Sequence, residues 1–310
     1  MKLHLGVKSD PIENRYTFEW LFDLIRGLGL HHLQMGSSFA TFHADDGYFV
    51  RLRAEAEKRD VRISSVFTSH RELGGFASGD PLLEKVARRG WERMIHVASL
   101  VGAGSAGSNV CIVMRDQPHL RERGILLFAE QVKDLLRIAR RAGLSALTIE
   151  PMSSLFEYPS TPDEVEAVVT EIAPFHAANP DTTVPLLLCA DISHGVADAE
   201  RRVVHDNWTL FEREIPWMRE FHFKNTDAIF DSTFGFDAAE RERGIVDLRR
   251  LKALIASHAH RFPAADVIGY LEIGGPKLGR EYADRHLERM LVDSIQALKA
   301  VFSNGEEMRP

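Results

Sequence analysis

Five side chains in the second half of the chain have the types and the spacing to do chemistry together: Glu150, Asp191, His194, His222 and Glu272. Asp191 and His194 stand where a short apolar run, Val184 to Ala190, stops abruptly. Such a run reads as a buried strand that delivers two polar side chains to its C-terminal mouth. A carboxylate and an imidazole so placed can sit beside one divalent cation, or beside a cation and the substrate it holds. Taken alone, an Asp capping a turn and a surface His would explain that pair as well. What shifts the balance is that Glu150 before Pro151, His222 between Phe221 and Phe223, and Glu272 before Gly274 and Gly275 end other strand-like runs in the same manner. Three carboxylates with one imidazole suit a hard or borderline divalent ion, Mn2+, Mg2+ or Co2+. Without a thiolate they suit Zn2+ less.

The elements between these endings must bring them together. Strand-like stretches lie at Leu3 to Val7, His32 to Met35, Arg62 to Thr68, Asn109 to Met114, Ala146 to Ile149, the 184–194 stretch, Glu220 to Phe223 and Val267 to Leu271. Helix-like stretches alternate with them. Phe18, Leu21, Phe22, Ile25 and Leu28 share one face before Gly29, and Asp80-Pro81 opens a helix that reaches about Leu100. Thr161 to Glu164 has the spacing of a capping box, and Leu287, Leu291, Ser294, Ile295 and Leu298 form one side of a closing helix. Eight strand-helix units without a Pro/Gly/Ser linker predict an α/β fold, a single-domain (β/α)8 TIM barrel over residues 1–302, rather than a doubly wound sheet. The polar tail, 303–310, is expected to fray. In such barrels the chemistry sits at the C-terminal strand ends, where all five residues fall.

Bulk composition narrows the partners. With 310 residues, 45% hydrophobic and 27% charged, the chain can bury a full core, and its net charge of −7 offers no field for a nucleic acid or an anionic membrane. Cys111 and Cys189, the only cysteines, stand in apolar runs rather than in a metal-ligand or redox spacing. The chain opens on a strand-like segment, with no signal-peptide-like region and no apolar run near ~18 residues, so a cytoplasmic protein is expected.

The endings Thr148-Ile149-Glu150-Pro151, Ala190-Asp191-Ile192-Ser193-His194, Phe221 to Asp227 and Tyr270-Leu271-Glu272-Ile273 resemble those of the xylose-isomerase-like sugar epimerase and isomerase barrels. The branch with the D-tagatose and D-psicose 3-epimerases is the nearest comparison. The resemblance spans the chain in layout, and its specific motifs lie in the second half. It implies one divalent metal ion per chain held by Glu150, Asp191, His222 and Glu272, substrate contact by His194, an acid/base pair of Glu150 and Glu272, and a homo-oligomer, dimer or tetramer. The chemistry asks for that arrangement too. A cation on the C2 carbonyl oxygen and a neighbouring hydroxyl of a ketose acidifies the α proton, and two glutamates flanking a flat cis-enediolate can remove it from one face and return it to the other. A one-face shuttle between C1 and C2 would give aldose-ketose isomerisation with the same residues.

Loop residues point to the substrate. Lys8 follows strand one, His70, Arg71 and Glu72 follow strand three, Lys224, Asn225 and Asp227 follow strand seven, and Lys277 and Arg280 follow strand eight. Cations aimed from several loops suit a sugar phosphate or an acidic sugar. We therefore expect His70, Lys224, Asn225, Asp227, Lys277 and Arg280 to join His194 in contacting substrate. The segment from Asp227 to Gly244, with Phe230, Phe234 and Phe236, is expected to fold over the sugar or into a partner subunit. An inosose-type dehydratase would use similar metal ligands and is the runner-up. An endonuclease IV-type nuclease would need a further His after strand four and an Asp-x-His between strands seven and eight, whereas Asn109 to Asp116 holds no His and the equivalent loop reads Glu240-Arg241-Glu242-Arg243-Gly244; a metal-free sugar-sensing barrel would have no use for the carboxylates.

Overall fold

Eight strands form the wall: β1 (Lys2–Lys8), β2 (His32–Met35), β3 (Arg62–Phe67), β4 (Ser105–Ser108), β5 (Ala146–Ile149), β6 (Leu186–Asp191), β7 (Met218–Phe223) and β8 (Asp266–Leu271). Each pairs in parallel with the next, and β8 pairs with β1 from Lys2↔Asp266 to Val7↔Leu271, closing the barrel. The computed structural model describes residues 1–12, 15–68, 75–274 and 284–309. Outside the wall run α1 (Phe18–Gly27), α2 (Ser38–His43), α3 (Asp46–Lys58), α4 (Pro81–Val101), α5 (Arg121–Arg141), α6 (Pro162–Ala178), α7 (Asn207–Glu214), α8 (Ala238–Arg243), α9 (Leu248–Ser257) and α10 (Asp284–Val301). No described helix is long and apolar enough to cross a membrane.

The helices start where the sequence gives them caps. Thr17 accepts from the Trp20 N–H, Asp80 accepts from the Leu82 N–H with Pro81 beside it, and Thr161 with Glu164 forms the expected reciprocal box. Gly102 ends α4 at φ +75°, a left-handed position where a Cβ would be strained. Along the strands the side chains alternate between two environments. On β7, Phe221 and Phe223 face outward against Phe211 and Phe302, while Glu220 and His222 face the interior. The interior is filled unevenly: a Cβ on Gly6 would lie 2.6 Å from the Tyr270 ring, so the large ring occupies the space that the glycine leaves.

Two expectations are corrected. Strand four is Ser105–Ser108, not Asn109 to Met114. The apolar run Val110 to Val113 is largely buried, but it lies beyond the strand and bridges to Gly75 through Cys111. The true strand is made of small residues because the wall is crowded there, and a Cβ on Gly107 would strike Thr148 and Phe67. The tail is not frayed as far as Arg309. Glu306–Glu307 pairs antiparallel to β1, Met308 is buried, and Lys252 Nζ lies 2.7 Å from Glu306 Oε1.

The segment from Asp227 to Gly244 is likewise more built than a loop. It contains α8, buries Phe236 completely, pairs Phe234 with Asn225 and lays the Arg243 guanidinium over the Phe234 ring. Phe230, at φ +63°, places its ring where a Cβ on Gly195 would be, next to His194.

Candidate metal and active site

Strand periodicity builds the site. Cys189 and Asp191 on β6, and Glu220, His222 and Lys224 on or just past β7, are each two residues apart and so share the inner face. Asp191 and His222 are ladder neighbours, which puts both at the same level of the mouth. Glu150 is the first residue beyond β5. Glu272 is the first beyond β8 and is fixed there by its N–H to the Phe223 carbonyl at 3.0 Å. Ligand atoms of Glu150, Asp191, His222 and Glu272 all lie within 4.8 Å of one another. His222 Nδ1 is the hub, 3.0 Å from Glu150 Oε1, 3.0 Å from Glu272 Oε2 and 3.8 Å from Asp191 Oδ2.

The imidazole is oriented from behind. Gln34 Oε1 lies 2.7 Å from His222 Nε2, and the Gln34 amide nitrogen in turn reaches Ser65 Oγ and Cys189 Sγ. With its NH2 committed to those two groups, Gln34 presents its oxygen, so Nε2–H donates and Nδ1 is the nitrogen turned to the carboxylates. The β2–β3 register skips Ser64 on β3, which sets Ser65 opposite Gln34. On the opposite flank Asn109 donates to Glu150 Oε2 at 3.3 Å.

Two lysines complete the site. Lys224 Nζ lies 3.0 Å from Asp191 Oδ2 and 3.4 Å from Glu272 Oε1, and Lys8 Nζ lies 3.2 Å from both Glu272 Oε2 and Asp10 Oδ2. Their charges reset the carboxylates. Burial alone would raise Glu150, but the hydrogen bond and charge of His222, with His194 and Lys8 behind, bring it down to about 2. Burial likewise opposes ionisation of Glu272, yet Lys224, Lys8 and His222 hold it well below the usual range. Burial pulls the two lysines down, but Asp10 and Glu272 for Lys8, and Asp191 and Glu272 for Lys224, keep both above the ordinary lysine value.

Most of the expected constellation meets. Glu150, Asp191, His222 and Glu272 converge, and His194 joins them, its Nδ1–H donating to the Pro151 carbonyl at 2.6 Å and its Nε2 lying 3.4 Å from Asp191 Oδ2. Lys224 lies at the same centre, against Asp191 and Glu272. Asn225 and Asp227 are placed differently: Asn225 Oδ1 and the Asp227 carboxylate serve the loop, while Asn225 Nδ2 is buried without a hydrogen-bond partner. Asn225 Oδ1 accepts from the Thr226 and Val246 N–H groups, and the Asp227 carboxylate accepts from Ile229 N, Asp231 N and Ser232 Oγ, which closes a turn rather than facing a sugar. His70, Lys277 and Arg280 lie outside the described residues. The sequence points to neither Gln34 nor Asn109, and it presents Lys8 as a loop cation, whereas the structure makes Lys8 part of the centre. Lys8 has the inward register of β1, a signal within the sequence. Gln34 carries none, because an uncharged amide on a four-residue strand looks like filler.

The donor set fits a divalent ion. Around bonds of about 2.1 Å, opposite donors stand about 4.2 Å apart, close to the spread observed here. Asp191 Oδ2 is buried and accepts no hydrogen bond of good geometry; the Lys224 ammonium 3.0 Å away offsets its charge without filling that acceptor, which leaves a lone pair for a further cation.

No curated protein matches the chain by sequence. Among solved structures, a candidate xylose isomerase from Rhodospirillum rubrum superposes with a TM-score of 0.77 at 20% identity, covering 97% of this chain and 99% of that one. D-psicose 3-epimerase with D-tagatose from Clostridium cellulolyticum H10 gives 0.69 at 13% identity, with 96% and 99% covered. The IolI protein with a bound zinc atom gives 0.68 at 12%, with 97% and 99% covered. At such identities these likenesses concern the fold. The family model for the xylose isomerase-like TIM barrel matches residues 22–287, most of the barrel and all four donors, and the chain belongs to that family.

Proposed function

We propose that the chain is a metal-dependent sugar epimerase or isomerase that moves a proton on a ketose or ketose phosphate through a cis-enediolate. What supports the reading is one observation: two glutamates, Glu150 and Glu272, approach His222 Nδ1 to 3.0 Å each from strands separated by β6 and β7, within a cage of four donors. Glu150, Asp191, His222 and Glu272 would hold the ion, which supplies polarisation of the ketose carbonyl and a neighbouring hydroxyl. The remaining work falls to side chains. Glu150 and Glu272, approaching from different parts of the wall, can take a proton from C3 at one face and return it at the other. Lys8 and Lys224 carry positive charge to the same place and can hydrogen-bond the oxygens on which negative charge develops. His194, anchored through Nδ1–H on Pro151, offers Nε2 to a sugar hydroxyl. Phe230 over Gly195 gives an apolar wall beside that histidine. D-psicose 3-epimerase and a xylose isomerase-type protein among the structural neighbours fit the same chemistry.

The test is incubation of ketoses and ketose phosphates with the protein and Mn2+ in D2O, followed by NMR. Deuterium at C3 identifies epimerisation, and deuterium at C1 or C2 identifies isomerisation. No incorporation into any of them would reject the proposal.

A further inference from the structure

We infer that Lys8 and Lys224 are built-in counter-cations of the donor cage, so that this chain binds its divalent ion weakly and exchangeably. The inference rests on the metal reading proposed above. Its basis is which atoms the ammonium groups occupy. Lys224 Nζ stands 3.0 Å from Asp191 Oδ2, the aspartate oxygen that faces His222 Nδ1. Lys8 Nζ stands 3.2 Å from Glu272 Oε2, the glutamate oxygen that lies 3.0 Å from the same nitrogen. Both oxygens turned toward the imidazole therefore already face an ammonium group, and Lys224 also lies 3.4 Å from the other oxygen of Glu272.

Solvent does little to weaken this. The Lys8 and Lys224 side chains are 7% and 12% exposed, and the carboxylates beside them are buried or nearly so. Two ammonium groups against the three cage carboxylates and Asp10 leave the cluster with two net negative charges facing a dication, where the four carboxylates alone would offer four. Like charges a few ångström apart in such a setting repel strongly. Neither lysine is there by chance of a mobile side chain. Lys8 ends β1 and is braced by Asp10 Oδ2 at 3.2 Å, and Lys224 is two residues past His222, on the inner face of the same strand direction.

The experiment is isothermal titration of Mn2+ into metal-stripped wild-type protein and into Lys8→Met, Lys224→Met and Lys224→Arg, with circular dichroism melts of each. The expected result is tighter Mn2+ binding, by about tenfold or more, in each methionine variant, with Lys224→Arg close to wild type because the charge remains. Lys224→Gln and Lys8→Gln replace any methionine variant that fails to fold. Folded neutral variants whose affinity equals or falls below that of a binding wild type would overturn the inference and leave the metal reading standing. If neither the wild type nor any variant binds Mn2+, both fall together.

Discussion

A lone buried carboxylate in the middle of this barrel and the cluster of carboxylates at its mouth are handled in opposite ways. Glu220 sits in the middle. Its Oε1 accepts from Ser65 Oγ at 2.9 Å and Thr148 Oγ1 at 3.2 Å, and its Oε2 accepts from Ser105 Oγ at 3.2 Å. Neutral hydroxyls do not offset desolvation, so burial pushes this carboxyl up despite the more distant Arg219. At the mouth, where His222 stands two residues past Glu220, Glu150 is buried and Glu272 nearly so, yet His222, Lys8 and Lys224 hold them down. Burial is therefore not what makes the mouth ionised. The cations are, and a fold does not need buried like-signed carboxylates packed around one imidazole for its stability. The contrast separates a carboxyl held by neutral hydroxyls from carboxylates held by cations within one tube.

The contrast can be broken at several points. The largest effect is expected at the mouth: Glu150→Gln and Glu272→Gln should each lower deuterium incorporation into the turned-over ketose by about 10²–10⁴-fold while the melting curve stays cooperative, and a wild-type rate in either would remove that residue from the mechanism. Next comes the orienting shell. Gln34→Leu removes the acceptor of His222 Nε2–H and should weaken Mn2+ binding by about 10–100-fold in a calorimetric titration; unchanged affinity would mean that the imidazole is fixed by something else. At the middle level, Glu220→Gln should leave Mn2+ affinity within about twofold, because no atom of Glu220 is among the four donors.

The smallest effect is on stability against pH, and it reports on the structural acids. Glu214, at the end of α7, is buried with Oε2 unpartnered, and burial, with Asp191 and Glu150 nearby, raises it well above the ordinary range. A raised carboxyl keeps its proton in the folded chain after the unfolded chain has released it. Stability is thus fullest below the ordinary carboxylate range and falls as pH rises toward the raised value. Glu214→Gln should match wild type in Tm near pH 4 and exceed it near pH 8, by about 2–4 °C for each kcal/mol recovered. A Tm difference that does not grow with pH would show that Glu214 is ionised or solvated.

Much of this was legible before any coordinates. The barrel follows from the alternation of strand and helix signals, and the four donors from their shared position at strand ends, because period-two alternation ties a polar strand-end residue to the interior face. Strand four was misplaced for a physical reason. Ser105 to Ser108 carry no apolar signature, since crowding by Phe67 and Thr148 demands small side chains, while the apolar run beside it packs beyond the wall. Asn225 and Asp227 follow the right strand but fold back into their own loop, an outcome set by backbone N–H groups that sequence does not display. Lys8 was visible as a charge, but not as a charge on Glu272, because that contact joins the first strand to the last.

Whether four side chains meet at one cation is tested most directly by crystallography of Mn2+-soaked protein at the manganese absorption edge. We predict a single anomalous peak per chain within bonding distance of Glu150, Asp191, His222 and Glu272. A soaked crystal with no peak there, or with its peak on other side chains, would contradict it.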